Sequence, residues 1–70
     1  MKSKIKNDLE ERIIELSKDL VEAVNKGYHS TTLDLMNGTL LKNLSIYKNL
    51  FGEKNQQQFI LANNIVTLKK

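Results

Sequence analysis

The sequence predicts a mostly α-helical fold: an antiparallel two-helix hairpin over about residues 7–26 and 31–51, followed by a short C-terminal strand, β-hairpin or tail. Two apolar seams predict the helices. Leu9, Ile13, Leu16, Leu20 and Ala23 form the first; Leu33, Met36, Leu40, Tyr47 and Leu50 form the second. Spacings of three, four and seven residues keep such side chains on one side of a helix. The third observation is the connector, Gly27-Tyr28-His29-Ser30-Thr31. It is short enough to fold two helices back on each other. The chain reads as one domain, 1–70, with a flexible N-terminus over 1–6 that either frays or extends the first helix by one turn, the hairpin over 7–51 and a tail over 53–70.

The first helix is expected to start near Asn7 or Asp8. Asn7 can cap it, and Glu10 stands at the capping-box position. Gly27 is its stop, with Lys26 in the last turn. The second helix takes Thr31 as N-cap and Gly52 as stop. Gly38 inside it costs about 0.8–1 kcal/mol relative to alanine, either as a weak spot or to admit another backbone. Asn43 interrupts the seam, so it either fixes register from the interface or lies just off it.

The tail reads two ways. Gln56 to Leu61 and Ile65 to Leu68 flank Ala62-Asn63-Asn64, a turn with asparagines that tolerate left-handed backbone. Leu61, Ile65 and Leu68 also stand at helical spacing. The β-branched run Ile65-Val66-Thr67 favours strand.

Size constrains the assembly. A core in a 70-residue chain rarely supplies more than about 3–5 kcal/mol, so small domains usually carry a staple. With no cysteine and with His29 as the only histidine, disulfides and Cys/His zinc sites are excluded. The second helix also carries Leu35, Leu41, Leu44, Ile46 and Phe51 beyond its seam. A helix apolar over most of its circumference needs more than one neighbour. A homodimeric four-helix bundle, docking on a larger protein, or the tail folding back over the helix supplies it.

The residues before Asn7 contain no apolar run after their lysines, so they do not read as a signal peptide. No stretch approaches the roughly 20 apolar residues of a membrane span. A cytoplasmic protein with no membrane role is expected. Lysine and asparagine are abundant and Arg12 is the single arginine, a bias typical of AT-rich bacterial and phage genomes. The net charge of +3 arises in the second half, from Lys42, Lys48, Lys54, Lys69 and Lys70 against Asp34 and Glu53. This is well short of the clustered Lys/Arg of a dedicated nucleic-acid binder.

Catalytic constellations are lacking. His29 sits alone in a loop among Ser30, Thr31 and Thr32, where capping explains the hydroxyls. The pairs Glu11–Glu15, Glu15–Asp19 and Asp19–Glu22 alternate with Arg12 and Lys18 and read as a solvated face. No Glu-x-x-His pattern for a di-metal bundle is present. No enzyme, cofactor, metal or small-molecule substrate is expected.

Ile13, Leu16 and Ser17, then Lys26-Gly27, then Asn37-Gly38-Thr39-Leu40-Leu41 and Tyr47 form one further pattern. In it the chain resembles the short helical-hairpin sporulation aspartyl-phosphate phosphatases, which remove phosphate from response regulators. Ile13 and Leu16 match that family's Ile-x-x-Leu-Arg opening, with Ser17 in the Arg place, and Lys26-Gly27 match its turn. The signature Ser-Gln-Glu-Leu-Asp falls on residues 37–41 and keeps only Leu40. The resemblance spans residues 13 to 47. It implies a helical hairpin and a protein partner, with the catalytic signature lost.

The expected function is a non-catalytic interaction module that binds and regulates or inhibits a larger cytoplasmic protein. The contact falls to Leu35, Leu41, Leu44, Ile46 and Phe51, with Phe59 and Leu61 added from the tail. The alternatives are a degenerate phosphatase relative and a nucleic-acid adaptor using Lys42, Lys48, Lys54, Lys69 and Lys70.

Overall fold

The computed structural model describes residues 2–68, with side chains from Lys4 onward. Three helices follow one another: α1 (Lys2–Asn25), α2 (Ser30–Phe51) and α3 (Glu53–Asn63). An extended segment follows Asn64, and the described residues contain no strand. None of these helices is long and apolar enough to cross a membrane.

α1 begins earlier than its candidate cap at Asn7. Residues 2–6, read as a flexible N-terminus, continue the helix, since neither glycine nor proline interrupts them and Ile5 extends the apolar spacing of Leu9 and Ile13. The end of α1 is a Schellman turn: the Tyr28 N–H donates to the Ala23 carbonyl at 3.0 Å and the Gly27 N–H to Val24 at 3.1 Å. His29, rather than Thr31, caps α2, its Nδ1 accepting from the Thr31 N–H at 3.2 Å.

The tail departs most from its sequence reading. Residues 53–63, which include the expected first strand at 56–61, form α3. The asparagines make a helix stop instead of a hairpin turn. Asn64 adopts left-handed φ 52°, and its N–H donates back to the Ile60 carbonyl. The β-branched run after it is extended but pairs with no strand.

α1 and α2 lie side by side, and α3 packs on α2. Ile13 and Leu20 of α1, Leu40, Leu44 and Tyr47 of α2, Phe59 of α3 and Ile65 of the extended segment form the core. Burying each side chain of this size is worth about 1.5–3 kcal/mol. Gln56 Nε2 donates to the Leu44 carbonyl at 2.8 Å, fixing α3 against α2. Gly52 alone joins these two helices, at φ 94° and ψ 155°, a region nearly closed to residues with a Cβ.

Gly38 differs in having ordinary helical backbone inside α2, and a Cβ added there meets nothing within 4 Å. Gly38→Ala is therefore expected to raise unfolding free energy by about 0.5–1 kcal/mol. Gly52→Ala is expected to lower it by about 1–3 kcal/mol. Urea melts of both variants check the opposite signs, and matching signs would contradict this account of the two positions.

Candidate functional site

The contact residues expected from sequence divide into two groups. Leu44 and Phe59 belong to the core of a single chain, and Phe51 is half-buried against it. Leu35, Leu41, Ile46 and Leu61 keep open surface, Leu35 at 70% and Leu61 at 78% exposure. Ile46 follows Leu35 by about three turns and Leu50 follows by one more, so these three share a stripe of α2. Leu50 is 58% exposed. Lys42 lies in the same stripe, and Leu41 projects from a different side of the helix.

The opposite side of α2 is organised by polar residues. Ser17 and Asn37 are both buried, and both hold the main chain of the extended segment. The Val66 N–H donates to Ser17 Oγ at 2.8 Å, and the hydroxyl faces the Val66 carbonyl at 3.5 Å. The Leu68 N–H donates to Asn37 Oδ1 at 2.9 Å, and Asn37 Nδ2 donates to the Leu68 carbonyl at 3.2 Å. The Asn37 amide thus pairs with one residue as a neighbouring peptide unit would. In the sequence each of these residues follows an apolar seam position by four, Ser17 after Ile13 and Asn37 after Leu33. That spacing is the signal by which they could have been found. Asn43, the interrupter noted in the seam, is buried too but bonds its own helix at the Thr39 carbonyl, 2.8 Å away.

A third cluster surrounds Tyr47. Its hydroxyl donates to Glu10 Oε2 at 2.7 Å, joining α2 to α1. Its ring stacks on Phe59 at 5.1 Å and meets Phe51 at 5.0 Å. Lys6 Nζ stands 5.7 Å from the Phe51 ring centre. A shallow cleft of about 280 Å³ opens here between Lys6, Glu10, Asn55 and Gln58. Burial, then the hydrogen bond to Glu10 and its charge, push the Tyr47 phenol up to about 12. A phenol held that high is a poor base at neutral pH. The cluster is a structural joint.

Other chemistry-bearing residues are placed as plainly. Glu11, Glu15, Asp19 and Glu22 are exposed, and Glu22 pairs with Lys26 at 2.8 Å. The Lys26 ammonium lowers the Glu22 carboxyl through hydrogen bond and charge, and Glu22 raises Lys26 in return. No cluster of three metal-ligating side chains occurs among the described residues. Lys42, Lys48 and Lys54 are exposed, but Tyr47 and Phe51, the aromatics nearest them in sequence, face into the core and offer no base-stacking platform. Lys69 and Lys70 lie outside the described residues.

The chain matches no known family model, no curated protein and no solved structure. The site is read from its own residues.

The Tyr47 joint has a pH signature. In the unfolded chain the phenol loses its proton near 10.0, before the folded chain does at about 12. Between those values the unfolded state binds fewer protons, so stability falls as pH rises. The contribution is complete below the unfolded value and is lost on approach to the folded one. In Tyr28→Phe, where Tyr47 is the remaining tyrosine, phenolate absorbance is expected to appear near pH 12. Adding Tyr47→Phe should reduce the alkaline slope in stability, leaving what the Glu22–Lys26 pair contributes. Titration of folded Tyr47 at its ordinary value would contradict the joint.

Proposed function

We propose that this chain is a non-catalytic helical interaction module whose α1–α2 hairpin assembles with a second copy as a four-helix bundle. In this reading it binds a larger cytoplasmic protein and regulates or inhibits it. The observation that carries the reading is the exposed α2 stripe of Leu35, Ile46 and Leu50. Single exposed leucines are ordinary, but an aligned set on one helix marks a contact face. The molecule measures 38 × 20 × 18 Å, so one broad side approaches the ~800 Å² per partner of a standard interface. Lys42 can lay its apolar stem along such a contact and keep its ammonium at the rim. As a relative of the sporulation phosphatases the chain would keep the helix pair and lack the chemistry. Thr39 and Leu41 stand at the acidic signature positions, both exposed and neither a carboxylate.

Solution mass across a concentration series, with helix content followed on the same samples, tests the assembly. A dimer that dissociates on dilution with its helix content kept is expected, since the core closes within one chain. Ile46→Asp with Leu50→Asp should halve the mass and keep the helix signal. Leu44→Asp should instead unfold the chain, because Leu44 is 5% exposed and a buried unpaired charge can cost about 4 kcal/mol or more. A double variant with wild-type mass would place the interface elsewhere.

A further inference from the structure

We propose that Asn37-Gly38 is a covalent modification site gated by unfolding: the chain deamidates there when it opens, and the product cannot rebuild the native structure. An asparagine deamidates when the main-chain nitrogen of the next residue attacks its side-chain carbonyl carbon. Glycine leaves that nitrogen least hindered, because it has no Cβ and adopts the backbone conformations that ring closure requires. Asn37 is the only asparagine of the chain that precedes glycine. Packing does not demand the glycine, since a Cβ at that position meets nothing within 4 Å. Its chemical consequence is a peptide unit after Asn37 that is open to attack once the fold is lost.

The native fold closes the site. Asn37 lies inside α2 and is 1% exposed. Its carboxamide is held at both ends: Nδ2 donates to the Leu68 carbonyl at 3.2 Å, and Oδ1 accepts from the Leu68 N–H at 2.9 Å. The helical ψ of about −42° turns the Gly38 nitrogen away from the side-chain carbon and commits its N–H to the helix ladder. Exposure and reactivity are thus set against each other. Exposed asparagines such as Asn49 and Asn64 precede Leu50 and Ile65, whose side chains hinder attack. The asparagine with an unhindered neighbour is the one walled in. Unfolding removes every one of these restraints together.

In the open chain the Gly38 nitrogen gives up its proton and bonds to the Asn37 side-chain carbonyl carbon. The bond from that carbon to Nδ2 breaks, the departing nitrogen takes up the proton and leaves as ammonia, and a succinimide remains. Water then opens the ring. Cleavage at the side-chain carbonyl gives aspartate, and cleavage at the main-chain carbonyl gives isoaspartate. Neither product fits the native site. Aspartate keeps an acceptor for the Leu68 N–H but sets an oxygen against the Leu68 carbonyl where Nδ2 donated. A buried polar group that has lost its partner is costly. Isoaspartate adds a methylene to the main chain in mid-helix and breaks the ladder there. Converted chains therefore open more readily, and conversion records time spent unfolded. Refolding is fast beside this chemistry, so the native rate is the open fraction multiplied by the open-chain rate. The reaction needs no partner and does not rest on the assembly proposed above.

Full-length chains incubated at mildly alkaline pH, native and in denaturing urea, test the site. Each asparagine is followed by peptide mapping with mass detection and an isoaspartate assay. In urea Asn37 should convert faster than any other asparagine, and Gly38→Ala should slow it about tenfold or more. Without urea Asn37 should convert at least about a hundredfold more slowly, and a smaller ratio would overturn the gate. Gly52→Ala should raise the native rate in proportion to the stability it loses in the urea melt. An unchanged native rate in a measurably destabilised chain would also overturn the gate. Conversion in urea no faster than at Asn49 would overturn the site itself. Asn37→Asp supplies one product directly and should unfold at lower urea than the wild type or fail to fold. Stability equal to the wild type would overturn the claim that the product cannot rebuild the native structure.

Discussion

Tyr47 is the point at which three helices become one structure. A helix pair in a chain this short has a single interface, and that interface leaves one side of each helix bare. Tyr47 extends α2 in two directions. Its hydroxyl reaches Glu10 on α1 and its ring carries Phe59 of α3. A buried hydroxyl costs free energy unless it is paired, so the α1–α2 register is constrained by the position of Glu10. Aromatic packing of this kind is worth about 0.5–1.5 kcal/mol beyond area, a large share of what so small a core can supply. Remove α3 and the Tyr47 ring loses its cover; shift α1 and its hydroxyl loses its acceptor.

A second constraint acts on the segment after Asn64. Ile65 completes the core, and the chain that carries it must cross between helices whose own backbone groups are already paired. The Ile65 N–H still bonds the Ile60 carbonyl, but beyond it the main chain is met by side chains. Ser17 and Asn37 supply them, which is why two polar residues occupy positions that the helical spacing would otherwise give to apolar ones. The segment is thus extended without belonging to a sheet.

The parts of this architecture differ in how far the sequence discloses them. The two long helices are written in the apolar spacing, because Ile13, Leu20, Leu40 and Tyr47 are both the periodic residues and the buried ones. Gly52 was legible as a stop but not as a link, since nothing local distinguishes a helix end from a one-residue joint between helices. α3 was obscured because Phe59, Ile60 and Leu61 are consecutive and show no period. Its helicity follows from Phe59 meeting Tyr47, a contact twelve positions apart in sequence. The β-branched run at 65–67 did signal extended backbone, but its partners are side chains that no strand rule anticipates. In the contact set, Leu44 and Phe59 were indistinguishable from Leu35 and Leu61 by residue type. Which leucines a small protein keeps for itself is decided only when the third element packs.

The two faces of α2 then differ in kind. The Leu35–Ile46–Leu50 side is apolar and carries little that could select among partners, since burial of such residues is not directional. The Asn37 side carries a donor and an acceptor of fixed geometry, which only an extended main chain meets. The first is open apolar surface, and the second is already committed to the chain's own extended segment, whose main chain Asn37 pairs at Leu68. That division follows from placing Asn37, rather than another leucine, four residues after Leu33.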